Sequence, residues 1–192
     1  MIAPPRLRPG DRIGIVAPSG PVLRGNVVKG ARTLEHAGFR VSVARHVFDR
    51  RGHLAGEDRA RLDDLNRMLR DPDIRCVLMA RGGYGAMRIA GEVDWRAMRR
   101  DPKVFAGFSD ATFLHLGFAR HSGVRTLHGP NLQGLAQGRS PEIERWLSWV
   151  TRPDLPERVR MLRAPLWIAG PAGGTARFRP TTTRTGSPTL PA

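Results

Sequence analysis

The sequence predicts an α/β fold in which helices cover both faces of a doubly wound parallel sheet. Short apolar runs alternate along the chain with longer segments whose apolar residues recur at helical spacing, which is typical of β-α-β units. Most of these runs end in loops that contain glycine, proline or serine, as strands of such a sheet do. The length of 192 residues allows one domain with an appendage, but not two full catalytic domains. Function is expected in the loops after the strands, because doubly wound sheets bind ligands at their carboxyl ends.

Five apolar runs are predicted to form the strands. They occupy residues 12–17, 39–44, 76–80, 103–107 and 124–127. The third run, Cys-Val-Leu-Met-Ala, is uninterrupted by polar residues, which is typical of a buried strand. Cys76 is the only cysteine, so an internal disulfide is excluded.

Helices are predicted over residues 22–37, 57–69, 111–120 and 140–150, with a further helical stretch after residue 85. In the first of them Val27, Ala31 and Leu34 fall on one face, and Gly38 stands where a C-terminal cap belongs. Asp-Pro at residues 71 and 72 ends the second helix, because proline lacks the amide that a helix uses.

The pattern changes beyond residue 139. Residues 1–139 are predicted to form the folded domain, residues 140–169 a helix and a linker, and residues 170–192 a disordered tail. The tail lacks the periodic apolar positions that could bury a core. A frameshift in the coding DNA would account for such an ending.

The composition excludes several classes of partner. The net charge of +15 would ordinarily suggest nucleic acid, but only Lys29 and Lys103 are lysines among 32 basic residues. This arginine bias reflects GC-rich codons better than phosphate contacts, so no nucleic-acid partner is predicted. No apolar run approaches the roughly 18 residues of a membrane span, and the first residues lack a secretory signal. A cytoplasmic protein without membrane contact is expected.

Two loops after predicted strands could contact a ligand. Residues 17–21, Ala-Pro-Ser-Gly-Pro, form either a plain strand-to-helix turn or a turn that presents backbone amides to an anion. Residues 81–85, Arg-Gly-Gly-Tyr-Gly, place adjacent glycines where backbone could approach a ligand closely. Arg81 could bind a carboxylate with two parallel hydrogen bonds; the glycines could equally serve a tight turn, with Tyr84 as packing.

Ser109 lies between a predicted strand and a predicted helix. A serine on such a sharp turn exposes its hydroxyl, and the next backbone amide points at a developing oxyanion, as in a nucleophile elbow. The Gly-x-Ser-x-Gly form is absent, because Ala111 stands two positions after the serine. On spacing alone, a Ser-Asp pair at this place is more often a helix N-cap.

Taken together, these segments resemble the LD-carboxypeptidase family, which includes the muramoyltetrapeptide carboxypeptidases and the microcin-immunity peptidases. The resemblance covers roughly residues 6 to 135, and the order and spacing of its motifs agree throughout. The matching segments are residues 7–11 (Leu-Arg-Pro-Gly-Asp), 15–20 (Ile-Val-Ala-Pro-Ser-Gly), 61–66 (Arg-Leu-Asp-Asp-Leu-Asn), 81–85, 107–112 (Gly-Phe-Ser-Asp-Ala-Thr) with 114–115 (Leu-His), and 128–130 (His-Gly-Pro).

The resemblance implies a flavodoxin-like N-terminal nucleophile domain and a serine carboxypeptidase without metal or cofactor. It implies that Ser109 is the nucleophile and that the backbone amides of Asp110 and of Gly82, Gly83 and Tyr84 are oxyanion donors. Arg81 becomes a candidate for the substrate's terminal carboxylate, or else a brace for its loop. The implied reaction removes the terminal D-alanine from cytoplasmic murein tetrapeptides in peptidoglycan recycling.

The sequence departs from the family in the base, the group that takes the proton of the serine hydroxyl. Family members take a glutamate and a histidine from a C-terminal domain, and no histidine occurs within residues 170–192. His115 should point away from Ser109, and His128 in its His-Gly-Pro turn is expected to be structural. The chain is therefore expected to be truncated and inactive alone; the alternative is a non-catalytic module that binds muropeptide or another anionic ligand.

Loss of a second domain would also expose apolar surface and could favour a homodimer. Trp146, Trp149 and Trp167 are expected to contribute to that surface.

Overall fold

A computed structural model describes residues 1–152 of the protein and two further strands, residues 166–169 and 175–178. Its main feature is a five-stranded sheet with the strand order β2-β1-β3-β4-β5. The strands are β1 Arg12–Val16, β2 Arg40–Val43, β3 Ile74–Met79, β4 Val104–Gly107 and β5 Leu127–His128. Every neighbouring pair in this sheet is parallel, which confirms the predicted fold class.

The fifth strand differs most from its predicted position. The apolar run at residues 124–127 predicted a strand there, but only Leu127 and His128 pair with β4. Val124 instead forms an isolated parallel bridge with Ile2. Val124 therefore pairs with the N-terminal segment of the chain and not with β4, which the local apolar pattern alone did not indicate.

Seven helices lie within residues 1–152. They are α1 Arg24–His36, α2 Asp58–Arg70, α3 Ala86–Ile89, α4 Trp95–Arg100, α5 Thr112–Gly117, α6 Leu132–Gln137 and α7 Ser140–Thr151. A 3-10 turn at Ser109–Ala111 precedes α5, and a π-helical turn at Phe118–Ser122 follows it. The sequence did not predict α4 and α6, which have six residues each and give little periodic signal. Their starts are capped by side chains, Asp94 for α4 and Asn131 for α6.

The core lies on both faces of the central strands. Ile13, Val77 and Phe105 are fully buried, as the uncharged runs of a covered parallel sheet require. Helix α7 joins this core, since Trp146 and Val150 are buried. The expectation that Trp146 is part of an exposed surface is therefore wrong: its helix packs against the domain instead of leaving it.

Helix α7 lies in the first of two compact units, Met1–Leu155. The second unit, Pro156–Ala192, contains two described strands, β6 Leu166–Ala169 and β7 Thr175–Phe178, which pair antiparallel.

Within the segment expected to be disordered, residues 170–192, the four residues of β7 thus form a strand. The rest of that segment lies outside the described residues, as does the side chain of Trp167. Thr175–Phe178 reads Thr-Ala-Arg-Phe after a glycine pair, a combination typical of hairpins; it is too short to stand out from the surrounding composition.

A search of the described helices for a membrane span finds none of sufficient length and apolar character.

Candidate active site

Ser109 has a backbone conformation that marks it out in the described chain. Its φ is 65°, and within residues 1–152 no other residue except glycine has a positive φ. One extended residue, Phe108, separates Ser109 from the end of β4. Ser109 is exposed at the start of the turn that leads into α5. It therefore has the geometry of a nucleophile elbow.

Gly107 allows the elbow to lie close to the sheet. A Cβ atom at this position would come within 2.8 Å of Met79 Sδ and 2.9 Å of Ala111 Cβ. The same packing explains the departure from Gly-x-Ser-x-Gly: Ala111 is fully buried, and its methyl group fits only because Gly107 has none.

The loop after β3 faces the serine. A Cβ atom on Gly82 would lie 3.0 Å from Ser109 Cβ and 3.4 Å from Ser109 Oγ. Gly83 and Gly85 have φ values of 118° and 128°, which side chains rarely permit. The glycines are thus needed both for the path of the loop and for its approach to Ser109.

Four backbone amides, that of Asp110 and three in the loop after β3, have no acceptor within the described residues. Among the described residues, the amides of Gly82, Gly83, Tyr84 and Asp110 donate no hydrogen bond to another protein atom. Free amides at such a turn are the donors that an oxyanion hole requires. The structure thus brings Gly82 of this loop close to the serine hydroxyl, and Asp110 is the next residue in the chain.

The loop after β1 supports this arrangement from a third side. Gly20 donates its amide to the carbonyl of Gly82 at 3.1 Å, and Ser19 Oγ donates to Asp110 Oδ2 at 2.6 Å. The Gly20 amide is therefore not available to an anion. Of the two interpretations of residues 17–21, the structure supports the structural turn.

The two larger side chains of the glycine loop point to solvent. Arg81 is exposed, and its Nη1 donates to the carbonyl of Pro21 at 2.8 Å. In this structure the guanidinium thus braces the first loop, while its other nitrogens make no hydrogen bond within residues 1–152. Tyr84 is 76% exposed, so it does not serve the core.

No histidine near the elbow contacts the serine hydroxyl. The Nδ1 atom of His115 lies 2.8 Å from Thr126 Oγ1, and its Nε2 atom lies 3.2 Å from the carbonyl of Gly107. Burial lowers the pKa of His115, and the neighbouring His128 lowers it further, so the ring is neutral at pH 7. The ring of His128 lies 5.3 Å from that of His115. Within residues 1–152, no imidazole or carboxylate hydrogen-bonds to Ser109 Oγ.

The segment at residues 61–66 has a scaffolding role that its sequence did not reveal. The buried Arg61 donates to the carbonyl of Pro18 and to Asp58. A Cβ atom on Gly85 would lie 2.7 Å from Arg61 Nη1. Arg61 thus lies directly under the glycine loop and ties it to the loop after β1.

A pocket of about 410 Å³ adjoins the elbow. It is lined by Phe108, Pro130, Asn131, Gly134, Leu135, Gly138, Glu142 and Ile143. Its walls are mainly apolar, and Phe108 directly precedes Ser109. Sequence reasoning missed this pocket because the pocket depends on α6, a helix too short to be predicted. The described residues contain no cluster of side chains that could hold a metal ion.

Known proteins with similar sequences point to one family. The sequence model of the LD-carboxypeptidase N-terminal domain matches residues 13–129. A putative carboxypeptidase of Streptomyces coelicolor is 47% identical over 139 residues, which are 70% of this chain and 45% of that protein. A probable murein peptide carboxypeptidase of Bacillus subtilis is 40% identical over 129 residues, 67% of this chain and 40% of that protein.

A solved structure extends the agreement to the fold. An MccF-like protein from Bacillus anthracis superposes with a TM-score of 0.74 at 26% identity, covering 79% of this chain and 47% of that one. The chain spans less than half the length of each of these three proteins.

Proposed function

Because the family model covers more than half of the chain, the protein belongs to the LD-carboxypeptidase family, and we propose that it supplies the nucleophile half of a serine carboxypeptidase. The observation that carries the proposal is the elbow at Ser109, with its φ of 65°. The glycine of the loop opposite is so close that a methyl group there would lie 3.4 Å from the serine oxygen.

The proposal gives each group a role in the first step. Ser109 Oγ attacks the carbonyl carbon of the terminal peptide bond, and the carbonyl oxygen becomes an oxyanion. The free amides of Asp110 and of residues 82–84 donate hydrogen bonds to that oxygen. The serine proton passes to a base, which then protonates the leaving amine. The resulting acyl-enzyme is hydrolysed by water, so the products are a shortened peptide and an amino acid.

The base is the part that residues 1–152 do not provide at Ser109. The family resemblance assigns it to a glutamate and histidine pair in the remaining half of the relatives' length. Enzymes of this type that lack triad members retain roughly a thousandfold to ten-thousandfold catalysis over water. We therefore expect at most trace hydrolysis from residues 1–192 alone.

The proposed substrate is a murein tetrapeptide that ends in D-alanine, with a cytoplasmic role in peptidoglycan recycling. The name of the Bacillus subtilis relative supports a murein peptide. The terminal carboxylate of such a peptide suits the exposed guanidinium of Arg81, whose fork accommodates two carboxylate oxygens. The guanidinium of Arg81 would then either give up its hydrogen bond to the Pro21 carbonyl or bind that carbonyl and the substrate together.

The test of the nucleophile uses a fluorophosphonate, which reacts covalently with activated serines. We expect slow labelling of the purified chain at Ser109, located by mass spectrometry, and its loss in Ser109→Ala. Ser148→Ala is the matched control, because Ser148 is exposed on α7, away from the elbow. Labelling that survives Ser109→Ala would overturn the assignment of the nucleophile.

A hydrolysis assay with the tetrapeptide tests the need for a separate base. Turnover by residues 1–192 at a rate typical of enzymes, a median of about 10 per second, would contradict the expected trace activity. It would make His128 the next residue to replace.

A non-catalytic binding module is the second candidate function, favoured by the lack of a base at Ser109 within residues 1–152. Calorimetric titration of Ser109→Ala with the tetrapeptide separates the two functions. A binding module keeps its affinity in this variant and shows no Ser109 labelling in the parent chain.

We also propose self-association through the edge of the sheet that carries Ser109. Half of the large apolar side chains exposed within residues 1–152 follow β3 or β4: Tyr84, Met87, Phe108, Phe113 and Leu116. Exposed apolar groups of this kind favour association. Sedimentation velocity should show a concentration-dependent dimer that Leu116→Ser weakens and Leu23→Ser, on the exposed start of α1, does not. A monomer at all concentrations would contradict this.

A further inference from the structure

We propose that the side chain of Asp110 is a positioning group that holds the glycine loop against Ser109. This inference rests on the proposed function and adds a second role to a residue whose backbone amide is already a candidate oxyanion donor. The carboxylate makes no contact with Ser109 Oγ; it acts through the two loops that it joins.

The contacts of the carboxylate converge on one oxygen. Asp110 Oδ2 accepts a hydrogen bond from Ser19 Oγ at 2.6 Å and another from the amide of Ala86 at 2.8 Å. Ser19, Ala86 and Asp110 are all buried. Hydrogen bonds to an ionised carboxylate are among the stronger ones in proteins, and removing such an acceptor leaves buried donors without partners.

The bond from Ala86 fixes the glycine loop at its far end. The amide of Ala86 is the first of α3 and directly follows Gly85, so its bond to Asp110 determines where the loop ends. At the near end, Gly82 accepts the amide of Gly20 through its carbonyl. Gly20 is in turn the neighbour of Ser19, the second donor to Asp110.

The free amides of the loop lie between these two anchors. Within the described part of the chain, the amides of residues 82–84 donate no hydrogen bond. The direction in which these N–H groups point therefore depends on the two anchors. Asp110 is covalently joined to Ser109, and one carboxylate therefore relates the nucleophile to the loop opposite. A misplacement of about 1 Å at such a site costs roughly a hundredfold in rate.

The first measurement does not require reactivity of Ser109. Hydrogen exchange of the Gly20 amide reports on the near anchor, which Asp110 does not touch. In Asp110→Ala we expect this amide to exchange about tenfold faster or more. Without its bond to Asp110 the glycine loop can move, and the Gly82 carbonyl then no longer holds the Gly20 amide. Asp110→Asn keeps an oxygen that accepts both donors and should keep most of the protection. Ser19→Ala removes one bond and should give a smaller increase.

The second measurement is the rate of fluorophosphonate labelling at Ser109, separated into binding and reaction. Asp110→Ala should lower the limiting rate of reaction by about tenfold to a hundredfold, while the half-saturating concentration changes by less than about twofold. Asp110→Asn should restore most of the rate.

Asp64→Ala is the matched control for Asp110→Ala. Asp64 is also a buried carboxylate, and its Oδ2 accepts a hydrogen bond from the amide of His46 at 2.7 Å. His46 lies in the loop after β2. This variant should lose stability but keep both the Gly20 protection and the labelling rate. If Asp110→Ala does not fold, Ser19→Ala provides the same comparison.

Unchanged Gly20 exchange in folded Asp110→Ala overturns the inference, and so does an equal loss of labelling in Asp64→Ala. If the parent chain is not labelled at Ser109, the proposed function fails, and the exchange of Gly20 still decides the role of Asp110.

Discussion

Ser109 adopts a backbone conformation that costs energy, of order 1–3 kcal/mol for a residue with a side chain. Local bonds offset part of this cost: Thr112 Oγ1 donates to the carbonyl of Ser109 at 2.7 Å, and the buried Asp110 side chain fixes the following residue. The turn is thus held from both sides of the strained residue, which keeps the hydroxyl outside the core.

Gly82 gives a direct test of how close the loop must lie to the serine. In Gly82→Ala the new methyl group would stand 3.0 Å from Ser109 Cβ and 3.1 Å from the carbonyl of Phe108. Because one of these neighbours is backbone, the loop must retreat, and we expect Ser109 labelling to fall by about tenfold or more. Gly91→Ala is the control, since nothing lies within 4 Å of that position. Equal labelling of the two variants would show that the loop does not take part.

At the scale of elements, the close packing of α1 on α6 depends on one glycine. A Cβ atom on Gly30 would lie 2.7 Å from Leu132 Cδ1 and 2.9 Å from the backbone carbonyl of Leu132. We expect Gly30→Ala to lower the free energy of unfolding by about 1–3 kcal/mol, because overpacking forces the helices apart.

Gly25→Ala in the same helix has open space around it and should raise stability by up to about 1 kcal/mol through helix propensity. Urea denaturation of both variants makes the comparison. A stable Gly30→Ala would mean that α6 shifts without cost.

The strands and long helices could be predicted because their signals are local. The apolar run of β3 and the helical face of α2 are complete within their own segments. The pairing of Val124 with Ile2 could not be predicted, since it joins residues that are far apart in the sequence. Helix α6 was missed because six residues do not establish a period.

The same limit applies to the candidate site. The place of Ser109 between strand and helix could be predicted from adjacent residues. The hydrogen bond from Ser19 to Asp110 spans 91 positions, and the role of Arg61 under Gly85 depends on how α2 packs. Such contacts are set by the assembled sheet and leave no pattern in either segment alone.

At the scale of the whole molecule, stability should fall as the pH falls, in two stages. Burial lowers the pKa of His115 below its ordinary value of 6.5. The unfolded chain therefore binds a proton more readily, and the stabilising contribution of neutral His115 is lost as the pH falls below that value. Hydrogen bonds from Arg88 lower the pKa of Asp58, and those from Arg70 lower the pKa of Asp94. Their contributions are lost only near and below pH 4, as these carboxylates become protonated.

Denaturation in urea between pH 7 and pH 3 measures both stages. His115→Gln should flatten the upper stage, whereas His36→Gln, an exposed residue at the end of α1, should not. An upper stage that persists in His115→Gln would assign it to another group.

The separation between Ser19 and Asp110 also sets when the proposed nucleophile can become ordered during protein synthesis. The ribosome adds roughly 5–20 residues per second, so about 5 to 18 s pass between the synthesis of one partner and the other. For most of that interval the loop after β1 has been synthesised, but neither the carboxylate that binds it nor β4 has. The nascent chain consequently carries no ordered nucleophile. In the proposed nucleophile half, Ser109 is therefore ordered only after β1, β3 and β4 have paired.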